Sequence, residues 1–209
     1  MKIYLVRHGE SKANELNVFL GHGDLDLTEK GRLQAEKTAN FLKDVKANAI
    51  YSSDLSRAYN TALATAEKLN LPIIKDKGLR EIDAGEWDFM PYVELAKRDK
   101  EGITTWITNF SEAKCFGGES VKEVQKRMVS TIDKIVKENL GKTLLLFSHA
   151  TSIRAFVAYC IDEKDMQKIP WANNASVTVL EYNDGKYTLL EYGKDDFMDG
   201  ISTSLPQGI

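Results

Sequence analysis

The segment "YLVRHGES" (residues 4–11) ends an apolar run on Arg7 and His8, with Gly9 directly after. Two further apolar runs end in a similar way. "NAIYS" leads into "SDLSRA", which carries Arg57, and "KTLLLF" leads into Ser148 and His149. Three strand ends thus collect two arginines and two of the chain's three histidines. Arginine is scarce, seven against twenty-one lysines, and its planar fork suits phosphate or carboxylate oxygens. A helix opening at His149 adds free N–H groups and the positive end of its dipole. Together these residues predict a dianion pocket built without a metal. Cationic neighbours disfavour the imidazolium, so one histidine can stay neutral and nucleophilic near neutral pH while the other donates to phosphoryl oxygens. Attack of a ring nitrogen on phosphorus gives a phosphohistidine, which water or another acceptor then discharges. The leaving oxygen needs a proton donor. The segment "GLREIDAGEWD" (78–88) offers Glu81, Asp83, Glu86 and Asp88, with Glu81 favoured because Leu79 and Ile82 flank it.

Those side chains need a scaffold. "KIYLV" (2–6), "NAIYS" (48–52) and "KTLLLF" (142–147) are short, apolar and non-alternating, as strands of a sheet covered on both faces should be. "LPIIK" (71–75) begins with Pro72 beside it and reads as an edge strand or strand start. "SVTVLEY" and "KYTLLEY" flank "NDG" (183–185), an antiparallel hairpin signal. Helices are expected from a Thr28 cap to about Lys43, along Ala58, Ala62, Ala66 and Leu69, from Ser120 with a capping box to Glu123 and a stop at Gly141, and directly after His149 with Ile153, Phe156, Val157 and Cys160 inside. The alternation predicts an α/β fold: a three-layer sandwich with a mostly parallel central sheet and an antiparallel C-terminal hairpin. Residues 87–118 are rich in aromatics and broken by Pro91 and Gly102, and read as a small helical cap insertion. Its aromatics Trp87, Phe89, Trp106, Phe110 and Phe116 fill the cap, with contact of one or two of them to substrate left open. His22 reads as a loop residue and Arg154 as packing or pairing on its helix; the tail after Gly193 reads as loop.

A length of 209 residues fits one domain, 1–209, able to bury a core unaided. The net charge of −3 gives no global field for nucleic acid. Cys115 and Cys160 read as ordinary thiols in a reducing compartment, with no ligand spacing for a metal. The N-terminal apolar run is too short for a signal peptide, and none approaches the ~18 residues of a membrane span. The expected protein is cytoplasmic, with no cofactor, no metal, no membrane partner, and an oligomeric state, homodimer included, left open.

"LVRHGES", "SSDLSRAYNTA", "LREIDAGEWD", "GGES" and "SHATSIRA", in this order over residues 1 to about 180, resemble the histidine phosphatase superfamily, branch 1, the phosphoglycerate-mutase-like enzymes. The resemblance implies that His8 is the nucleophile, that Arg7, Arg57 and His149 grip the phosphate, and that Glu81 is the proton donor. It further implies that Asn14, placed in an N-terminal loop, contacts phosphate or substrate and that the Ala150 amide donates to phosphate. There are departures. Ala150-Thr151 replaces a Gly-Gly pair after His149, Leu20 stands where Gln is common, and Phe89-Met90 follow "GEWD" and are expected to crowd the substrate mouth. The tyrosine-and-glycine motif and basic insertion of the glycolytic mutases are missing. The resemblance therefore implies a metal-independent phosphatase for a small organic phosphomonoester. A phosphoglycerate mutase-type phosphotransferase is the enzyme alternative, and a non-catalytic phospholigand-binding domain the non-enzyme one.

Overall fold

The computed structural model describes residues 1–203; residues 204–209, the end of the expected C-terminal loop, lie outside the described residues. Six strands form one sheet: β1 (Lys2–Arg7), β2 (Ala49–Ser52), β3 (Ile73–Lys75), β4 (Leu144–Ser148), β5 (Val177–Asn183) and β6 (Lys186–Lys194). Their order is β3-β2-β4-β1-β5-β6. The first four run parallel to one another, and β5 and β6 are antiparallel. The β3 strand lies at an edge, where Pro72 costs no ladder hydrogen bond. Asp184 and Gly185 both take positive φ, 48° and 83°, the geometry a tight hairpin demands.

The period of two along the central strands divides the core. Ile3, Leu5, Leu144 and Leu146 face Val124, Met128 and Ile132 of α6 (Val121–Glu138) and Phe156 of α7 (Ala150–Cys160). Val6, Ile50, Leu145 and Phe147 face Leu42 of α2 (Glu29–Leu42) and Ala62 and Ala66 of α3 (Ser56–Leu69). Helices on both faces complete the three layers. Local signals set their starts. The Thr28 hydroxyl accepts the Gly31 N–H, and Ser120 and Glu123 form the reciprocal capping box. Two helices, α4 (Tyr92–Arg98) and α5 (Lys100–Thr108), and a 3-10 turn at Phe110–Glu112 occupy the expected cap. None of the helices among the described residues is long and apolar enough to cross a membrane.

Four details differ from expectation. Residues Lys12–Leu16 form a short helix, α1, so Asn14 is a helix residue rather than a loop residue; its side chain completes a capping box with Ser11. Helix α6 ends at Glu138 with Asn139 as its cap, and Gly141 (φ +79°) serves the turn beyond. Cys160, at the end of α7, is only half-buried. Past Gly193 the described residues are not all loop: β6 reaches Lys194, a 3-10 turn spans Asp196–Met198, Met198 is buried, and Phe197 stacks on Phe41 at 4.3 Å.

Gly9 and Gly31 let the turn after β1 lie against the start of α2. A Cβ on Gly31 would stand 2.0 Å from the Glu10 carbonyl oxygen, and one on Gly9 2.5 Å from that of Gly31. Backbone cannot yield as a side chain tip does. Gly31→Ala is expected to lower stability by about 1–3 kcal/mol, read as a lower urea midpoint at unchanged denaturant slope.

Candidate active site

Strands β1 and β4 are neighbours, with Arg7 opposite Ser148. Their carboxyl ends therefore deliver His8 and His149 side by side. The His8 N–H donates to the Ser148 carbonyl at 3.0 Å, and the two imidazole centroids are 5.2 Å apart. His8 Nδ1 lies 2.7 Å from the Gly9 carbonyl oxygen. A carbonyl only accepts, so Nδ1 carries the proton and Nε2 keeps its lone pair. Asn174 Nδ2 donates to the His8 carbonyl at 3.1 Å, and Gly9 N–H to Thr61 Oγ1 at 2.9 Å, which fixes the turn that carries the ring.

Two buried guanidiniums flank this imidazole. Arg57, in the first turn of α3, donates to the carbonyls of Gly23 and Gly21 at 2.9 and 2.8 Å. Arg7 donates to the Ala172 carbonyl at 2.6 Å. Burial pushes both down to about 10, which leaves them charged at neutral pH. For His8 and His149, burial first and the Arg57 charge second hold the imidazoles well below their ordinary range. Both rings are therefore neutral at pH 7. His149 caps α7, approaches Ser53 Oγ through Nε2 at 2.9 Å, and has a buried Nδ1 without a partner.

Glu81 sits at the amino end of α7. Its carboxylate accepts N–H groups from Ile82 at 2.9 Å, Thr151 at 3.2 Å and Ser152 at 3.3 Å. The amide of Thr151, one of the expected departures, thus serves Glu81. Arg127 holds this segment from behind by donating to the carbonyls of Gly78, Arg80 and Glu81, while pairing with Glu119 at 2.7 Å. His22 Nε2 lies 3.0 Å from the Glu81 carbonyl oxygen. Asn14 Oδ1 faces three donors, Ser11 N, Ser11 Oγ and Asn174 Nδ2, at 3.0, 3.0 and 3.3 Å. Its Nδ2 is then the amide group left for a ligand.

A cavity of about 60 Å³ joins these groups. Arg7, His8, Asn14, Arg57, Glu81 and Ala150 all line it, whereas His149 stands behind His8 and is fully buried. Among the described residues no group of three His, Cys, Asp or Glu side chains is placed to hold a metal ion. Phe89 and Met90 do not line the cavity. Phe89 adopts φ +63°, turns outward over Gly23 and is 52% exposed, and Met90 packs against the core. Of the five cap aromatics named from the sequence, Trp106 alone lines the cavity, which Leu20 also lines. Sequence reasoning missed Phe19, Tyr92 and Trp171 in the wall, and Ser53, Arg127 and Asn174 in support. The one faint signal for any of these was an arginine, Arg127, placed on the expected helix four residues past its capping-box Glu123.

The neutral imidazoles carry a cost in acid. Below about pH 6.5 the unfolded chain takes up protons on its histidines that the folded chain refuses, so stability falls as pH drops from there toward the depressed folded values. His149→Gln should flatten the loss of melting temperature between about pH 6.5 and 5 relative to the parent.

The fold, with strand ends that converge on paired cations and imidazoles, defines a class of α/β proteins that take a phosphoryl-sized dianion. The sequence model of the histidine phosphatase superfamily (branch 1) matches residues 3–195, and this chain belongs to that family. It is 33% identical over 195 residues to phosphoserine phosphatase 1 of Hydrogenobacter thermophilus, covering 91% of each chain. It is 32% identical over 196 residues to phosphoglycerate mutase-like protein 4 of Arabidopsis thaliana, covering 92% of this chain and 84% of that one. The solved structure of Bacillus stearothermophilus YhfR superposes with a TM-score of 0.90 at 29% identity, over 94% of this chain and 98% of its own.

Proposed function

We propose that this chain is a metal-independent phosphatase that hydrolyses small organic phosphomonoesters through a phosphohistidine on His8. The carrying observation is the tautomer: Nδ1 is committed to the Gly9 carbonyl, so Nε2 is a neutral nucleophile inside a ring of cations. Arg7 and Arg57 hold the phosphoryl oxygens, with the Asn14 amide and the Ala150 N–H as further donors; His149, outside the cavity lining, packs against the His8 ring instead of gripping the phosphate as the resemblance implied. His8 Nε2 attacks phosphorus and the P–O ester bond breaks. Glu81, in its acid form, gives its proton to the departing alkoxide. Water then attacks the phosphohistidine, Glu81 takes the water's proton, the P–N bond breaks and inorganic phosphate leaves. The positive charge that a metal supplies elsewhere comes here from guanidiniums and the α7 amino end.

Residues 1–209 act in this reading as one domain, with 87–118 as its cap, working in the cytoplasm on a small phosphorylated substrate and without nucleic acid or membrane. A mutase must also hold a second anionic group of its substrate, and the charged or imidazole side chains lining this cavity are Arg7, His8, Arg57 and Glu81, all already engaged in the phosphoryl chemistry. That favours water as the acceptor. The support for turnover over mere binding is Glu81, buried within reach of the same cavity. Acid quench during turnover of a ³²P-labelled ester tests the reading. Label is expected on His8 alone, followed by inorganic phosphate at a rate unchanged by chelator. Label on another side chain, or conversion of 3-phosphoglycerate to its isomer without phosphate release, overturns it.

A further inference from the structure

The side chains that line the cavity fall into two kinds. The charged or imidazole side chains lining it, among the described residues, are Arg7, His8, Arg57 and Glu81. All four belong to the phosphoryl chemistry. The remaining wall is mainly apolar and aromatic, dominated by Phe19, Leu20, Tyr92, Trp106 and Trp171.

This wall is also held rigidly. Phe19 meets Trp106 edge to face at 5.0 Å, and Trp106 lies nearly parallel to Trp171, 19° apart with centroids at 6.2 Å. Trp171 belongs to the irregular segment before β5, which is pinned on both sides. The Tyr192 hydroxyl donates to the Pro170 carbonyl at 2.7 Å, and Arg7 takes the Ala172 carbonyl. The ring itself is backed by Arg154 of α7. Its guanidinium carbon lies 4.2 Å from the centroids of both Trp171 and Phe110, a cation between two aromatic faces. Arg154 is 3% exposed, donates to the Gln167 carbonyl at 3.1 Å and leaves Nε unpartnered, with no carboxylate paired to it among the described residues. The cation stands behind the indole, where a ligand in the cavity meets the ring before the charge.

We propose that the alcohol released by this site is uncharged and apolar, best an aromatic ring stacked in the Trp106–Trp171 wall, and that Arg154 is the positioning residue that holds Trp171 for it. The inference rests on the phosphatase reading above and names its substrate class. A flat apolar group gains burial and ring contact here. A carboxylate or ammonium on the same alcohol is stripped of water while the charged side chains of the lining, Arg7, Arg57 and Glu81, are taken by the phosphoryl chemistry. The site therefore departs from the substrate that the Hydrogenobacter relative's name carries.

The test compares kcat/KM for 2-phenylethyl phosphate, O-phosphoserine and 3-phosphoglycerate. All three release alkyl alcohols, so intrinsic leaving-group activation does not supply the preference. The parent protein is expected to favour the phenylethyl ester by about 100-fold. Trp171→Ala and Arg154→Met should each raise KM for that ester about tenfold with kcat little changed. Trp171→Phe and Arg154→Lys, which keep a ring on a cation, should retain most of the preference, with circular dichroism reporting the fold of every variant. Equal or better turnover of phosphoserine or 3-phosphoglycerate overturns the inference and leaves the phosphatase reading standing. So does an Arg154→Met protein that loses only the carboxylated esters, because Arg154 would then be a carboxylate anchor. Failure to hydrolyse any of the three esters, or a simple aryl phosphate, overturns the phosphatase reading itself.

Discussion

His8→Ala is expected to lower kcat/KM by about 10⁴-fold or more for every phosphate ester, activated or not. The size follows from what the ring supplies. Its Nε2 is the one uncharged nucleophilic nitrogen that both lines the cavity and has its other nitrogen fixed as a donor. Alanine leaves the two guanidiniums in place, so phosphate should still bind, and inorganic phosphate should protect the variant against thermal unfolding as it protects the parent. The turn after β1 should survive the change, since Asn174, Thr61 and Ser148 hold it through backbone atoms. Steady-state rates beside a phosphate-dependent melting shift separate lost chemistry from lost structure. A variant that retains more than about a tenth of parental turnover while binding phosphate would remove His8 from the reaction path.

Glu81→Gln is the second large effect and has a signature of its own. Alkyl esters, whose alkoxides need a proton, should slow by about 10²–10⁴-fold, whereas 4-nitrophenyl phosphate, whose phenolate leaves unaided, should slow far less in the phosphorylation step. The geometry sets up the test because the carboxylate is fixed by three backbone N–H donors rather than by a flexible partner. Glutamine brings its own donor face to one of those amides, which displaces the group somewhat. Displacement alone would slow both ester types alike, so the difference between them is the diagnostic quantity. Equal slowing directs attention to another acid. Asp83 and Glu86, the other acids of that segment considered first, do not line the cavity.

Much of the reactive end was readable in advance because it follows from where strands stop. A parallel sheet brings its carboxyl ends together, and a charged residue directly after an apolar run cannot be elsewhere than at that edge. Arg7, His8 and His149 were legible for this reason, Arg57 as the arginine at the start of the helix after β2, and Glu81 through its apolar neighbours and family pattern. The aromatic wall was not. Trp171 lies in an irregular segment with no periodicity, and its role depends on Arg154, whose stacking partners come from the cap and from the loop beyond α7. Phe89 takes the left-handed region, φ +63°, which bulky residues rarely do, and its ring lies over Gly23 outside the cavity lining. Asn14 showed the opposite case. It was placed in a loop, yet the SxxN spacing from Ser11 held the start of a helix and the fixed orientation of its amide.

The pairing of β1 with β4 and β5 has a consequence for synthesis. His8 leaves the ribosome well over a hundred residues before the strand that leads into His149 and the Asn174 side chain that steadies the His8 turn. Until they arrive, the nascent chain presents a solvated imidazole of ordinary basicity, with neither its cationic ring nor its dry surroundings. Reactivity toward phosphate esters is therefore switched on only after Asn174 has been made, and a fragment released before that point has none of it to misdirect.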